Sequence, residues 1–188
     1  MNLYGTELPV IHLKPGEIYI AEMPVVISTV LGSCLAVTMF NRRFRIGAIC
    51  HVMLPRCRCK DNCGDDITKC IYEKKRSSGS CQDIYRYVDC SIYNMLKRFE
   101  IFGVERDDIE IKLFGGADSF LSCNESRMGM TVGKQNIEKA LKIIEAERLI
   151  LHASDIGGAL GRKIFFYAHT GEVFLKRLEK TDEECIKE

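Results

Sequence analysis

Short apolar segments rich in β-branched residues limit what the first third of this chain can fold into. Four of them, each ending at a turn signal, lie near Glu17–Ala21, Pro24–Val30, Leu35–Phe40 and Arg45–Val52. Segments of this composition and length predict β-strands rather than helices. The polar tripeptide NRR after Phe40 predicts a hairpin loop that pairs the last two strands. The chain is therefore expected to begin as a β-sheet.

Helical periodicity appears in two later segments. Apolar residues three and four positions apart predict a helix from about Gln82 to Ile101, with Gly103 as its stop signal. A second helix is predicted over about Asn136–Glu147, with Asn136 or Gln135 as the residue that caps its first amide groups. Both patterns bury one face only, which is typical of helices that pack on a sheet.

The remaining segments are again β in character. Ile109–Phe114 alternates as a strand and runs into the turn sequence GGA. LILHAS, KIFFYA and EVFLKRL predict three more strands, the last two joined through HTG as a hairpin. Because strands outnumber helices and hairpins are frequent, we expect an α+β fold. Residues 1–188 are predicted to form a single layered domain in which two main helices cover a mostly antiparallel β-sheet.

Positive and negative charges nearly balance in this chain. It has 27 Lys and Arg and 26 Asp and Glu, which gives a formal net charge of +1. This balance argues against the basic surface of a nucleic-acid-binding protein. No apolar segment reaches the roughly 20 residues of a membrane span, and the first residues lack the charged-then-apolar order of a signal peptide. We therefore expect a cytoplasmic protein, without nucleic-acid partners or membrane insertion, whose thiols are kept reduced.

Five of the ten cysteines crowd into a polar, charged segment at about residues 56–82. This composition predicts a long surface loop inserted into the domain. Four thiolates can close a tetrahedral zinc site that orders such a loop, although the spacings match no paired CxxC template. The alternatives are an irregular loop with reactive thiols and adventitious disulfides. The candidate zinc ligands are Cys57, Cys59, Cys63, Cys70 and Cys81.

Cys34 differs from the other cysteines by its place in TVLGSCLAV, directly after Gly32 and Ser33 at the start of a predicted strand. The simpler interpretation is a buried packing thiol, because unpaired cysteines are among the most buried residues. The functional interpretation is a nucleophile. A tight turn at Gly32 would expose the sulfur and leave backbone N–H groups around Ser33 and Cys34 to stabilise an oxyanion. A nucleophilic thiol also needs a base.

His51 is the candidate base. The NRR hairpin is expected to pair Cys34 with Cys50 or His51, with an error of one or two residues in register. Cys50 should then point to the opposite face of the sheet, into the core. A third group would hold the imidazole in its working tautomer, and the hydroxyls of Ser28 and Thr29 are both candidates. The spacing does not choose between them.

Five motifs in order resemble the CheD chemoreceptor glutamine deamidase family. They are LGSCLAV, GAICHVMLP, KLFGGADSF, VGKQN and DIGGALGRKIFFYAHTGEV, and the resemblance extends from about Pro15 to Leu178. It implies an enzyme of bacterial and archaeal chemotaxis that converts selected receptor glutamines to glutamate. It also implies a layered α/β fold related to bacterial toxin deamidases.

The resemblance assigns roles to particular residues. The family's nucleophile falls on Cys34 and its histidine on His51. The expected attacking form is a Cys34 thiolate paired with a protonated His51 imidazole. Its orienting threonine, six positions before the nucleophile, falls on Ser28, and Thr29 is the alternative. Catalysis through a cysteine thioester would need no cofactor. The cysteine-rich loop departs from the family pattern and leaves room for a structural zinc ion.

The resemblance also implies partners. These are methyl-accepting chemotaxis receptors, at their helical cytoplasmic region, and a CheC-type phosphatase. The competing hypothesis is a non-catalytic adaptor that binds receptors or CheC and senses metal or redox state through the cysteine loop. The presence of both Cys34 and His51 argues against it, since a binding module needs neither.

Overall fold

A computed structural model describes residues 7–57, 84–118 and 130–178 of the chain. Within these ranges it has nine strands, two α-helices and two short 3-10 helices, Ile84–Arg86 and Arg106–Asp108. The α-helices are α1 (Val88–Ile101) and α2 (Val132–Ala146). The strands are β1 (Val10–His12), β2 (Ile18–Ala21), β3 (Val26–Leu31), β4 (Leu35–Asn41), β5 (Ile46–Val52), β6 (Glu110–Gly115), β7 (Leu151–Ile156), β8 (Arg162–Tyr167) and β9 (Val173–Arg177).

The strands form two sheets. The larger has the order β2-β5-β4-β6-β7 and the smaller the order β1-β3-β8-β9. Neighbouring strands are antiparallel except in the pairs β6–β7 and β1–β3. The α+β class and the mostly antiparallel pairing are confirmed, but the strands divide between two sheets where the sequence predicted one. Local patterns mark strands without naming partners, and β3 pairs with β8, more than a hundred residues away in sequence.

The larger sheet is the middle of three layers. Every residue of β4 and β5 is buried, because one face of these strands meets the helices and the other meets the smaller sheet. Leu35, Val37 and Met39 of β4 belong to the helix-side core, and Ala36 belongs to the core between the sheets. Alternate residues of one strand thus pack into two different cores.

The helices differ from the predictions at their beginnings. α1 is preceded by a 3-10 turn, so its α-helical part begins at Val88 rather than near Gln82; it ends at Ile101 as predicted. α2 begins at Val132, four residues earlier than expected, and Thr131 caps it by accepting a hydrogen bond from the Lys134 N–H. The predicted cap residues, Asn136 and Gln135, therefore lie inside the helix.

All eight predicted strands are present with small shifts at their ends, and the three-residue edge strand β1 is additional. Its shortness leaves too little pattern for a sequence-based prediction. Most of the predicted cysteine-rich loop, from residue 58 onward, lies outside the described residues. Neither α1 nor α2 is long and apolar enough to cross a membrane, and no other helix in the described ranges is.

Candidate active site

The β4–β5 hairpin places Cys34 near His51. The ladder pairs Leu35 with Val52 and Ala36 with His51, so Cys34 lies one step beyond its last pair. Continued by one step, this register places Cys34 opposite Met53, two positions from the predicted partner His51 and within the expected error. Cys50 belongs to the helix-side core, and its neighbour His51 points to the other face of the sheet. The predicted opposite orientation of these two residues is confirmed.

A hydrogen-bond chain holds the His51 ring. The Thr29 hydroxyl donates to the Leu13 carbonyl at 2.9 Å, and Thr29 Oγ1 lies 2.7 Å from His51 Nδ1. A hydroxyl has a single proton, and a carbonyl can only accept. Nδ1 of the ring must therefore be the donor in the second bond, and the neutral imidazole carries its proton there.

The other ring nitrogen, Nε2, is then an unprotonated acceptor. It is buried and has no hydrogen-bond partner among the residues that the structure describes. His51 as a whole is only 2% exposed. An imidazole whose tautomer is fixed through Nδ1 presents Nε2 as a base, which is the arrangement that nucleophilic catalysis requires.

Ser28 does not contact His51. Successive residues of β3 point to opposite faces, and Ser28 faces the outer side of the smaller sheet, where its Oγ lies 2.6 Å from His12 Nδ1. The structure therefore does not bring the Ser28 hydroxyl to His51, contrary to the contact expected from the sequence. Thr29, the alternative, makes the contact.

Three backbone and side-chain contacts fix the Gly32–Cys34 turn. Gly116 N–H donates to the Cys34 carbonyl at 2.7 Å, and Ala117 N–H donates to the Gly32 carbonyl at 2.8 Å. The Asn136 side-chain amide donates to the Ser33 carbonyl at 3.3 Å. The turn that carries the half-buried Cys34 is thus held from the β6 end and from α2.

Burial favours the neutral forms of both Cys34 and His51. It raises the pKa of the Cys34 thiol and lowers the pKa of His51 to about 4, although the charge of Glu17 partly opposes the second shift. At neutral pH the resting site accordingly holds a thiol beside a neutral imidazole. This differs from the thiolate and imidazolium expected from the sequence. Burial raises the pKa of Cys50 to about 12, so that second thiol stays protonated.

The zinc hypothesis concerns residues that lie almost entirely outside the described ranges. Cys57 is described, at the last residue before the gap, while the four other candidate ligands, Cys59, Cys63, Cys70 and Cys81, are not. Across residues 7–57, 84–118 and 130–178 no cluster of three metal-binding side chains occurs. The zinc site stays a prediction from the sequence.

Asn136 is the site residue that the sequence interpretation missed. It was expected at a helix end, but it is fully buried and contacts the backbone on both sides of the site. Its spacing from Ala140 and Ile143 places it on the buried stripe of α2. A polar side chain on an otherwise apolar stripe was the available signal.

Comparisons with known proteins converge on one family. The family model described as CheD chemotactic sensory transduction matches residues 72–177. A protein of Geobacter sulfurreducens, named probable chemoreceptor glutamine deamidase CheD 2, is 43% identical over 97% of this chain and 98% of its own length. The similarly named protein of Maridesulfovibrio salexigens is 38% identical over 90% of this chain and 92% of its length. One from Methanococcus maripaludis is 31% identical over 89% of this chain and 95% of its own.

Proposed function

This chain belongs to the CheD family, and on that premise we propose that it is a chemoreceptor glutamine deamidase whose reacting groups are Cys34 and His51, with Thr29 holding the histidine. The reaction is hydrolysis of the side-chain amide of selected receptor glutamines to glutamate and ammonia. The observation that carries the assignment of residues is the hydrogen-bond chain from Leu13 through Thr29 to His51 Nδ1, which leaves Nε2 as a base.

The first half of the reaction forms a thioester. His51 Nε2 takes the proton of the Cys34 thiol as the sulfur attacks the carboxamide carbon of the substrate. The new C–S bond pushes the π electrons onto the oxygen, and backbone N–H groups around Ser33 and Cys34 would stabilise that negative charge. The C–N bond then breaks, and ammonia leaves with the proton that His51 had taken.

The second half hydrolyses the thioester. His51, neutral again, removes a proton from a water molecule whose oxygen attacks the thioester carbon. The C–S bond breaks, Cys34 recovers its proton from His51, and the substrate leaves as glutamate. For each amide the net reaction consumes one water and releases glutamate, one ammonia and one proton, so it is balanced without a cofactor.

Burial of the neutral pair supports this order of events. A charged pair at rest would require two ions in a site where burial disfavours both, as the pKa shifts of Cys34 and His51 show. Proton transfer at the moment of attack creates those charges only when the substrate and the oxyanion donors are in place. The resting thiol is also less prone to oxidation than a permanent thiolate would be, since the thiolate is the more reactive form.

The test is a deamidation assay read by mass spectrometry. Purified, reduced protein is incubated with the cytoplasmic fragment of a receptor from the same cell, and each converted glutamine adds about one dalton to its peptide. We expect conversion by wild type and none by Cys34→Ala, with His51→Ala reduced roughly 100-fold or more. Cys90→Ala, a buried cysteine on α1, is the matched control and should retain activity.

If wild-type protein leaves all receptor glutamines unchanged, the proposal that it is a deamidase is refuted. If Cys34→Ala then bound the receptor fragment as tightly as wild type, the adaptor hypothesis would replace it. The names of the relatives support the enzyme rather than the adaptor. The same family premise supports two further proposals, namely action on receptors in the cytoplasm and association with a CheC-type phosphatase.

The cysteine-rich loop is proposed to bind a structural zinc ion. Five cysteines within a polar segment are the support, and they extend from Cys57 to Cys81. Zinc should copurify at about one ion per chain when chelators are omitted, as measured by plasma emission spectrometry. A protein that holds no zinc after refolding in its presence would refute this site and leave the deamidase proposal intact.

A further inference from the structure

Asn136 joins the two backbone segments that carry the reacting groups. Its side-chain Nδ2 donates to the Ser33 carbonyl at 3.3 Å and to the Met53 carbonyl at 3.1 Å. Ser33 directly precedes Cys34, and Met53 follows His51 by two residues. One amide group therefore spans the distance between the nucleophile's segment and the base's segment.

The Asn136 bridge lies beyond the end of the hydrogen-bonded ladder between β4 and β5. The ladder between β4 and β5 ends with the pair Leu35 and Val52, so Ser33 and Met53 lie beyond it. Cross-strand hydrogen bonds would otherwise fix the separation of the two segments. The Asn136 amide takes over that function at the place where Cys34 and His51 must meet.

The contact also sets the direction of one backbone donor. A peptide group is planar and trans, so its carbonyl and its N–H point in opposite directions. Because the Ser33 carbonyl points to Asn136, the Cys34 N–H points away from α2. That N–H belongs to the group proposed to stabilise the oxyanion, and Asn136 fixes its orientation.

The helix that presents Asn136 is closely fitted to the site. A Cβ atom added at Gly133 would lie 2.7 Å from the Gly116 carbonyl oxygen, and one added at Gly116 would lie 2.5 Å from the Ile137 side chain. Gly116 in turn holds the Cys34 carbonyl through its N–H. α2 thus packs directly against the backbone next to the Cys34 turn. This close contact prevents the helix from shifting along the turn and fixes the position of the Asn136 amide.

The geometry is kept at a cost to stability. Both N–H groups of the Asn136 amide are used, while its Oδ1 is buried and finds no partner within the described part of the chain. A buried acceptor without a partner destabilises a fold, and an apolar residue on this stripe would avoid that. A residue that stability alone would not favour is expected where geometry has a function.

We propose that Asn136 is a positioning residue for the reaction. It holds the segments of Cys34 and His51 in register and aims the Cys34 N–H, without touching the substrate. The inference rests on the proposed function, because it takes Cys34 and His51 as nucleophile and base. Its tests include a measurement on the thiol itself that needs no receptor.

The experiment compares wild type, Asn136→Ala, Asn136→Asp and His51→Ala, with Asn41→Ala as the matched control. Asn41 is also buried, at 2% exposure, and its amide donates to the Asp108 carbonyl at 3.0 Å. It lies at the far end of β4, roughly 23 Å from Cys34 along the strand. Asn136→Ala and Asn41→Ala thus both remove a buried amide. Only Asn136 lies close to Cys34 and His51, so a difference between the two variants reports on the site.

Two measurements are made on each variant. Iodoacetamide labelling of the Cys34 peptide, followed by mass spectrometry across pH, reports how well His51 takes the thiol proton. In Asn136→Ala we expect labelling at neutral pH to fall roughly tenfold and its pH profile to approach that of His51→Ala. Deamidation kinetics should show kcat reduced roughly 10- to 100-fold with KM nearly unchanged, because the substrate contacts remain.

Asn136→Asp distinguishes loss of the two hydrogen bonds from loss of side-chain volume. The carboxyl has nearly the size of the amide but donates only when protonated, and then through one hydrogen. Its labelling and kcat should therefore decline further as pH rises through the pKa of the new carboxyl, a trend absent from Asn136→Ala. Asn41→Ala should match wild type in both measurements.

Several outcomes would overturn the proposal. Wild-type labelling and kcat in a folded Asn136→Ala would do so, and so would equal losses in Asn41→Ala. Unfolding of both Asn136 variants beside a folded Asn41→Ala would assign the residue to stability instead. If wild type fails to deamidate receptors while the labelling profiles follow the expected order, the proposed function fails and the positioning of Cys34 by Asn136 stands.

Discussion

The Thr29 hydroxyl oxygen lies 2.7 Å from His51 Nδ1, and the proton of that hydroxyl is already committed to the Leu13 carbonyl. This relationship decides the tautomer of the histidine without any charged partner. An aspartate in the same place would stabilise the imidazolium, whereas a hydroxyl orients the neutral ring and leaves its pKa low. The site is therefore suited to a base that is neutral until the reaction begins.

Removing the Thr29 hydroxyl should lower activity without removing the base. In Thr29→Val the side chain keeps its shape, but Nδ1 loses its acceptor and the ring can adopt the other tautomer. We expect kcat to fall roughly 10- to 100-fold, part of the contribution that general base catalysis makes. Steady-state deamidation kinetics measure the change, and Thr29→Ser should restore most of it.

The neighbouring residue is the control for this prediction. Ser28→Ala removes a hydroxyl from the same strand, but one that contacts His12 on the outer face of the smaller sheet. It should leave kcat within about twofold of wild type, since this buried hydroxyl contacts His12 and not His51. A large loss in Ser28→Ala with a normal Thr29→Val would show that the orienting hydroxyl is Ser28 after all.

The choice between Ser28 and Thr29 marks the limit of what the sequence could predict. Local patterns located the strands and the hairpin, and the hairpin brought His51 to the Cys34 end within two residues. Which β3 face meets His51 depends on the packing of the smaller sheet, and β3 belongs to that sheet through β8, whose sequence is more than a hundred residues away. A one-residue step along a strand reverses the face.

Asn136 shows the same limit in a helix. The predicted start of α2 was four residues late because the residues from Val132 to Gln135 include a glycine and little apolar pattern. Gly133 is needed there for close approach to the Gly116 carbonyl, which is a tertiary requirement. Because α2 begins at Val132, Asn136 is not a cap residue but lies on the buried face of the helix.

The buried histidine should make the protein less stable in acid. The pKa of His51 is about 4 in the folded protein and near 6.5 when unfolded, so between these values the unfolded chain binds more protons. Stability from this group is complete above about pH 6.5 and is lost as pH falls toward 4, by about 3 kcal/mol in all. Urea unfolding of wild type across this range measures the slope.

The comparison variant for this measurement is His51→Gln, which cannot titrate. Carboxylates also change charge in acid, and they do so in both proteins. The difference between the two slopes should therefore isolate His51, with wild type losing more stability below about pH 6. Parallel curves for the two proteins would contradict a buried neutral imidazole.

Arg162 should matter for the stability of the loop next to the site. Its guanidinium is completely buried and bonds the Asp155 carboxylate and the Gly157 carbonyl. Gly157 N–H then donates to the Gly115 carbonyl at the turn that holds Cys34. Arg162→Met should destabilise the fold by about 3–5 kcal/mol, because the loop carbonyls and the Asp155 carboxylate would lose a completely buried donor.

A matched arginine tests whether burial is the cause. Arg177 bonds the other oxygen of the Asp155 carboxylate, but its side chain is 51% exposed. Arg177→Met should therefore cost less than about 1 kcal/mol in urea unfolding. Equal losses in the two variants would mean that the ion pair, rather than the buried bonds of Arg162 to the loop carbonyls, supports the structure.

The glycine at the end of β6 should tolerate no side chain. A Cβ atom at Gly115 would lie 2.3 Å from the Cys34 carbonyl oxygen, and its φ of +112° is strained for any other residue. Gly115→Ala should therefore displace the nucleophile's segment, with a loss of more than about 3 kcal/mol in stability and at least roughly 100-fold in kcat.

Gly103→Ala separates backbone strain from displacement. Gly103 also has a positive φ, +74°, but a Cβ atom there would meet nothing within 4 Å. It lies just after α1, so the alanine should cost about 1–2 kcal/mol and leave kcat unchanged. Thermal unfolding and deamidation kinetics on the two variants distinguish the effects. An active Gly115→Ala would mean that Cys34 can shift without loss, and the requirement for a fixed thiol would be refuted.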